Sequence, residues 1–335
     1  MTQRKNEGKQ KMLFGDAAKQ WLSLVQVNMK PATLVRYRND LQNHILPAFE
    51  QYNVEDVTTF LVEQFALEKI RSGRCDGNGG LSVKTVKDMV CVTGEVLQYA
   101  RKRGFSSPCH VRDIRLKYSD PHAAAITREN QLHLEQYLLC NADLKNMGVL
   151  LSLYMGMRIG EVCALRWENI HLSDKVIDIQ NTMQRIQIFP ENMADGIDAP
   201  RPRRTKVIIT TPKSSAGNRE IPIPQFLAEL LSQCIDTSPQ NFFLTNDPHK
   251  FIEPRALQRH FKRVLNINNI PYVNFHRLRH TFATRCIEEG FDMKSLSEIL
   301  GHTSVSLTMN RYVHTSMEQK RKNMLKLDAP FSNIS

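Results

Sequence analysis

Apolar residues recur at helical spacing soon after the charged start of the chain. Phe14, Ala17, Ala18, Trp21, Leu22 and Val25 form one stripe, the pattern of an amphipathic helix lying on a core. Pro31, whose fixed φ suits a first helical turn, predicts a second helix with Thr33, Arg36, Tyr37 and Asn39 at polar positions. A third helix is expected over Val54 to Ile70. The Gly-rich segment Ser72 to Gly80 then breaks the chain, and a fourth helix is expected over Ser82 to Arg101. Between Ser106 and Ala125, Pro108 and Pro121 stand among few large apolar residues, the composition of a linker. Thr127 reads as an N-cap, after which Leu132, Leu134, Leu138 and Leu139 resume the helical period. The next helix, Leu144 to Met155, ends at Gly156.

A short β region follows. KVIDIQ (Lys175 to Gln180) and TKVIITT (Thr205 to Thr211) are predicted strands flanking a Pro-, Gly- and Asp-rich loop from Pro190 to Arg204. REIPIP (Arg219 to Pro224) is expected to answer TKVIITT as a hairpin across Lys213 to Gly217. From Gln225 to about Leu327 the pattern is again helical. The chain therefore divides into a flexible basic tail (1–13), a helical domain (14–105), a linker (106–125), a mixed α/β domain (126–315) and a C-terminal tail (316–335). The fold class is mainly α with a small β-sheet.

Composition narrows the function. At 335 residues the chain suits two domains rather than one. Lysine and arginine outnumber aspartate and glutamate by 45 to 34, a net charge of +11, which favours a polyanionic partner. The same surplus would also suit a solvated basic surface. The opening MTQRKNEGKQK has no apolar run behind it, so no signal peptide is expected. No stretch approaches the ~20 apolar residues of a membrane span; the segment around Met147 to Met157 reads as a core helix. Seven cysteines (Cys75, Cys91, Cys109, Cys140, Cys163, Cys234, Cys286) are odd in number and scattered, with no C-x-x-C pair. They read as reduced, mostly packing thiols of a cytoplasmic protein.

Five segments carry candidate chemistry. GMRIGEVCALRW places Arg158 in a Gly-flanked turn, and TPKSSAG places Lys213 near a hairpin tip. NFHRLRHTFATR puts His276, Arg279 and His280 on one helix face. LSEILGHTS sets His302 directly after Gly301, and TMNRYVHTS carries Tyr312 on a helix expected to start near Ser304. Phosphodiester transesterification needs a nucleophile, fixed cations around the phosphate, and groups that accept and donate protons. Arginine holds two phosphate oxygens at once, and tyrosine stores the phosphate as an ester. Taken one at a time these residues default to surface or core roles, and Tyr154 and Tyr137 in apolar helices read as core. Two smaller clusters, Lys30, Thr33 and Arg36 with Lys84, Thr85 and Lys87, combine cations and hydroxyls suited to phosphate contact. Ordinary exposed helix faces would look the same.

In order, the five segments resemble the tyrosine recombinase (phage integrase) family. Arg158 sits in a G-x-R-x-x-E-x-x-x-L-x-W box with Glu161, Leu165 and Trp167. His276 to Thr281 matches the H-x-L-R-H-[ST] box, Leu300-Gly301-His302 matches the L-G-H box, and Tyr312 follows His302 by ten residues. The resemblance is specific from Gly156 to His314. It is looser from Phe14 to Gly104, where it implies a helical core-binding (SAM-like) domain. It implies that Arg158, Arg279 and His302 hold the scissile phosphate, that His276 assists proton transfer, and that Lys213 protonates the leaving 5′-hydroxyl, with Lys206 as rival. Tyr312 would form a 3′-phosphotyrosyl link. The expected enzyme integrates or excises a mobile element, acts on double-stranded DNA sites as a homo-tetramer, and works with accessory DNA-bending or directionality factors. It needs no cofactor, ATP or metal. The long Arg158-to-Lys213 interval is more like integrases of phages and conjugative transposons than compact housekeeping recombinases. Many such integrases carry a separate arm-site-binding domain where this sequence has only a short tail.

The same residues admit three other readings. His276 and His280 have zinc-site spacing, but Arg277 and Arg279 between them would repel a metal. A type IB topoisomerase shares the chemistry and would relax plasmid lacking a cognate site. A DNA-binding protein without catalysis would be expected to lack one of these residue types. Glu161 and His280 read as groups that orient their neighbours, and Trp167 and Phe282 as core.

Overall fold

The computed structural model describes residues 11–117, 125–188, 204–212, 214–234, 238–312, 321 and 324. Most of the basic tail, part of the linker, the loop around Pro190, Lys213 and most of the C-terminal tail lie outside the described residues, as do the side chains of residues 310–312. The described residues form two compact units: 11–117 with 186–188 and 204–206, and 125–185 with 207 onward. No helix among them is long and apolar enough to cross a membrane.

The first unit is helical. In α1 (Phe14–Val25) the stripe faces inward, with Phe14, Ala17, Ala18, Trp21 and Leu22 all buried. Helix α2 (Pro31–Asp40) begins at the expected proline and runs through a wider turn, Leu41–Ile45, into α3 (Leu46–Phe49). There the Leu46 N–H reaches back five residues to Leu41, beside Pro47, which has no N–H to give. The third helix differs from expectation. Val54–Asp56 is a separate 3₁₀ turn, and α4 (Thr59–Ser72) starts after Thr58, whose hydroxyl accepts the Leu61 N–H at 3.2 Å. Thr58 is a cap inside what looked like one apolar run. Helix α5 (Val83–Lys102) is capped by Ser82 and packs against α1 and α4.

The second unit is built around α7 (Leu144–Met155), which is buried along nearly its whole length. Around it lie α6 (Arg128–Cys140), capped by Thr127 as expected, α8 (Ile159–Ala164), α10 (Pro254–Ile267) and α11 (His276–Glu288). Helix α9 (Gln225–Ser232) joins the same core through Leu227 and Leu231. Helix α12 (Met293–Leu300) packs on α11 and on α13 (Val305–Tyr312), with Ala283, Cys286, Leu296 and Leu300 between them. All seven cysteines are free thiols; Cys109, Cys163 and Cys286 are buried, while Cys75, Cys91 and Cys140 are exposed.

The expected hairpin does not form. Strands β1 (Ile170–His171), β2 (Val176–Ile179) and β5 (Arg219–Pro222) make an antiparallel sheet in the order β1-β2-β5. TKVIITT instead supplies β4 (Thr205–Thr210), which pairs with β3 (Thr182–Gln187), a strand the sequence reading missed. Burial explains the exchange. Strand β5 must lay Ile221 on the core, where Ile177 stands directly opposite it, whereas no residue of β4 is fully buried. Side chains alternate along a strand, so Arg219 shares the inward face with Ile221 and lies opposite buried Ile179.

Ile177→Ala and Ile221→Ala should each cost about 2–5 kcal/mol in chemical denaturation. The pair should deviate from additivity; agreement within about 0.5 kcal/mol would contradict this register.

Candidate active site

The site grows from three chain turns in the second unit. At the first, α7 ends on Gly156 with φ +65°, a conformation glycine adopts without penalty. Space requires glycine as well: a Cβ there would lie 2.6 Å from the Phe282 ring and 2.9 Å from Leu300. The chain then extends through Arg158, which opens α8. The Glu161 carboxylate folds back to accept the Arg158 N–H at 2.9 Å and its Nη1 at 2.7 Å.

Glu161 is the anchor of a buried ion network. Its side chain is 2% exposed, and that of Arg219 is 6% exposed. Arg219 donates to both carboxylate oxygens, at 3.1 and 2.9 Å. Burial alone would raise the Glu161 carboxyl; the charge and hydrogen bonds of Arg219, with those of Arg158, overcome it and hold the group below the usual carboxylate range. Glu161 thus orients two arginines, the role its position suggested.

The second turn is the C-terminus of α12, closed by Gly301 with φ +62°. A Cβ here would stand 2.8 Å from the Ala216 carbonyl and 3.1 Å from Arg219. Three successive carbonyls at this end each accept from a different arginine. Ile299 takes Arg219 Nε at 2.6 Å, Leu300 takes Arg279 Nη2, and Gly301 takes Arg158 Nη2 at 3.2 Å. Helix C-termini leave such carbonyls unbonded and carry partial negative charge, so guanidinium groups are their natural partners. Arg279 also donates from Nη1 to the Gly156 carbonyl at 2.8 Å, which ties the first turn to the second. Its residue is only 2% exposed, whereas the Arg158 side chain is 37% exposed. Among the described residues, three guanidinium groups against one carboxylate leave a surplus of two positive charges.

The third turn follows Gly301 at once. His302 Nδ1 lies 2.8 Å from the hydroxyl of buried Thr308 on α13, the helix whose last residue is Tyr312. His276 opens α11 one turn before Arg279 and meets His280 edge to face at 4.8 Å. Arg158, Arg279 and His302 are therefore gathered around one turn. Lys213 lies outside the described residues, but the 3₁₀ turn just after it, Ser215–Gly217, packs on Gly301 through the Ala216 carbonyl. The rival Lys206 is exposed on β4. Tyr154 is half-buried against the core: it packs on Phe226, and burial first, with Glu135 beside it, pushes its phenol up. Sequence reasoning missed Arg219 and Thr308. Arg219 could have been found from its spacing of two from inward Ile221; nothing in the pattern around Thr308 marks it.

The two smaller cationic clusters lie in the first unit. Arg36 of α2 reaches Asp88 of α5 at 3.2 Å, next to Lys87, and stands 3.9 Å from Asp40. Burial raises the Asp40 carboxyl to about 6, opposed by Arg36 and aided by Asp88. These clusters thus carry carboxylates as well as cations.

Comparison with known proteins agrees with this architecture. The phage integrase family matches residues 135–319, and the phage integrase N-terminal SAM-like domain matches residues 13–69. Similar structures include the Tn1549 transposon integrase in complex with a circular intermediate DNA (TM-score 0.72, 17% identity, 94% of this chain and 99% of that one). A lambda integrase dimer bound to a COC′ core site is also similar (TM-score 0.64, 16% identity, 91% of this chain and 98% of that one). The fold is accordingly that of DNA integrases. A tyrosine recombinase XerC-like protein of Caldanaerobacter subterraneus subsp. tengcongensis is 26% identical, over 93% of this chain and 81% of its own length. A putative prophage phiRv2 integrase of Mycobacterium tuberculosis is 25% identical, over 92% and 76%. The chain belongs to the phage integrase family and is a tyrosine-type site-specific DNA recombinase.

Replacing Glu161 by glutamine should destabilise the chain by about 3–5 kcal/mol near neutral pH, because buried Arg219 loses its counter-charge. Its carboxyl is depressed on folding, so its contribution is present above the unfolded value of 4.5 and fades as pH falls through the folded one. Thermal unfolding of both proteins should show a gap that narrows below about pH 4.5; a gap constant with pH would contradict the ion network.

Proposed function

We propose that the turn at Gly301 binds the scissile phosphate of duplex DNA and that Tyr312 cuts and rejoins the strand there. The observation that carries the reading is the gathering of Arg158, Arg279 and His302 at that turn, with the helix bearing Tyr312 beginning four residues beyond Gly301 at Val305. Arg158 supplies the exposed guanidinium, Arg279 the buried charge behind it, and His302 a hydrogen bond to a phosphate oxygen. The Tyr312 oxygen forms its bond to phosphorus as the bond to the 5′-oxygen breaks. His276 takes the phenolic proton, and Lys213 gives one to the leaving hydroxyl. Attack by another 5′-hydroxyl reverses these transfers. One phosphodiester replaces another, so the reaction needs no ATP, and the charge on the phosphate is met by the protein's own cations.

Two exchanges through a four-way junction complete recombination and require four protomers. The lambda integrase, similar in fold at a TM-score of 0.63, forms a tetramer on a Holliday junction; the same assembly is proposed here. The segment 316–335 is proposed to dock on a neighbouring protomer. Accessory DNA-bending or directionality proteins join that complex, and the reaction is placed in the cytoplasm on an integrating or excising mobile element. Lys30, Thr33, Arg36, Lys84, Thr85 and Lys87 of the core-binding domain contact the DNA backbone.

On a nicked duplex carrying the element's junction, the wild-type chain should become covalently linked to DNA in EDTA without nucleotide, and Tyr312→Phe should not. Binding without linkage by wild type would overturn the catalytic reading; linkage by the variant would reassign the nucleophile. Lys84→Ala should weaken DNA binding irrespective of sequence and reduce the salt slope by about one; an unchanged slope would remove it from the interface.

A further inference from the structure

We propose that Thr308 is a positioning residue that, with an anion seated at the turn, keeps the donating proton of His302 on Nε2. The inference rests on the phosphate-holding role given to His302 above. The Thr308 hydroxyl is fully buried and lies 2.8 Å from His302 Nδ1. A neutral imidazole carries one proton, and the partner of one ring nitrogen decides where it sits. Because a hydroxyl can donate or accept, Thr308 serves both charge states. Toward neutral His302 its O–H donates to Nδ1, which leaves the proton on Nε2. Toward imidazolium its oxygen accepts Nδ1–H, and Nε2 again carries a proton. An anion at the turn selects these arrangements, since Nε2–H can then donate to a phosphate oxygen, whereas a bare nitrogen would repel it.

The bond has a second consequence. Thr308 stands four residues before Tyr312 on α13, and residues four apart share a helix face. His302 follows the turn on which Arg158, Arg219 and Arg279 converge. One hydrogen bond thus links the phosphate turn to the helix that carries the nucleophile, and the imidazole is held in its donating form while α13 is seated.

The test compares the full chain with Thr308→Val, close in shape but without a hydroxyl, and Thr308→Ser, which keeps one. Imidazole ¹⁵N shifts are read without DNA in saturating inorganic phosphate, with the His302 signals assigned by their loss in His302→Ala. Binding and single-turnover cleavage are then measured on the nicked junction duplex. T308V should bind DNA within about twofold of wild type yet cleave about tenfold more slowly, the scale of one lost hydrogen bond. T308S should recover to within about threefold on the same scale, and the His302 shifts should move toward mixed tautomers in T308V alone. Wild-type cleavage by T308V, or equal slowing in T308V and T308S with unaltered His302 shifts, would overturn the proposal. If wild type binds the duplex and never becomes linked to it, the strand-transfer reading fails instead, and the ¹⁵N shifts still decide whether Thr308 sets the tautomer.

Discussion

Three consecutive backbone carbonyls at the end of α12 hold the candidate site together. Ile299, Leu300 and Gly301 each accept a hydrogen bond from a different arginine, drawn from β5, α11 and the turn before α8. Gly301 makes it possible: its left-handed backbone turns the chain sharply, and the Ala216 carbonyl fills the space where a side chain would sit. With the carbonyls satisfied by cations, the negative end of the helix is covered by a cluster of positive charge.

Such a cluster is costly to build. Buried guanidinium groups lose hydration, and like charges a few ångströms apart repel. Glu161 offsets both costs, since its two oxygens accept four hydrogen bonds from Arg158 and Arg219. The remaining surplus of positive charge suits a diester anion. The division of exposure follows the same logic: Arg219 and Arg279 are enclosed and brace the backbone, while Arg158 stays open toward an incoming ligand.

Features set by local rules were legible in the sequence. The stripe of α1, the Thr127 cap, the full extent of α7 and the glycine stops at positions 156 and 301 all follow from spacing and backbone preference. The order Arg158, His276, Arg279, His302, Tyr312 was readable too, although nothing in it says that an α12 carbonyl is the meeting point. Long-range pairing was not legible. Strand β5 was matched to its neighbour in sequence, whereas burial of Ile221 sends it to β2. That one error hid Arg219, whose inward direction depends on pairing with Ile179. Thr58 shows a smaller version of the same limit, because a cap inside an apolar run looks like one more helical residue.

The central claim is that Arg158 works by meeting the negative charge of a phosphate seated at the Gly301 turn. A junction duplex with a neutral methylphosphonate in place of the scissile phosphate tests it most directly. The account predicts that Arg158→Ala fails to link to the ordinary duplex but links to the neutral one, since no charge then needs balancing. If Arg158→Ala is equally inactive on both, its guanidinium serves the fold and not the phosphate, and the account is wrong.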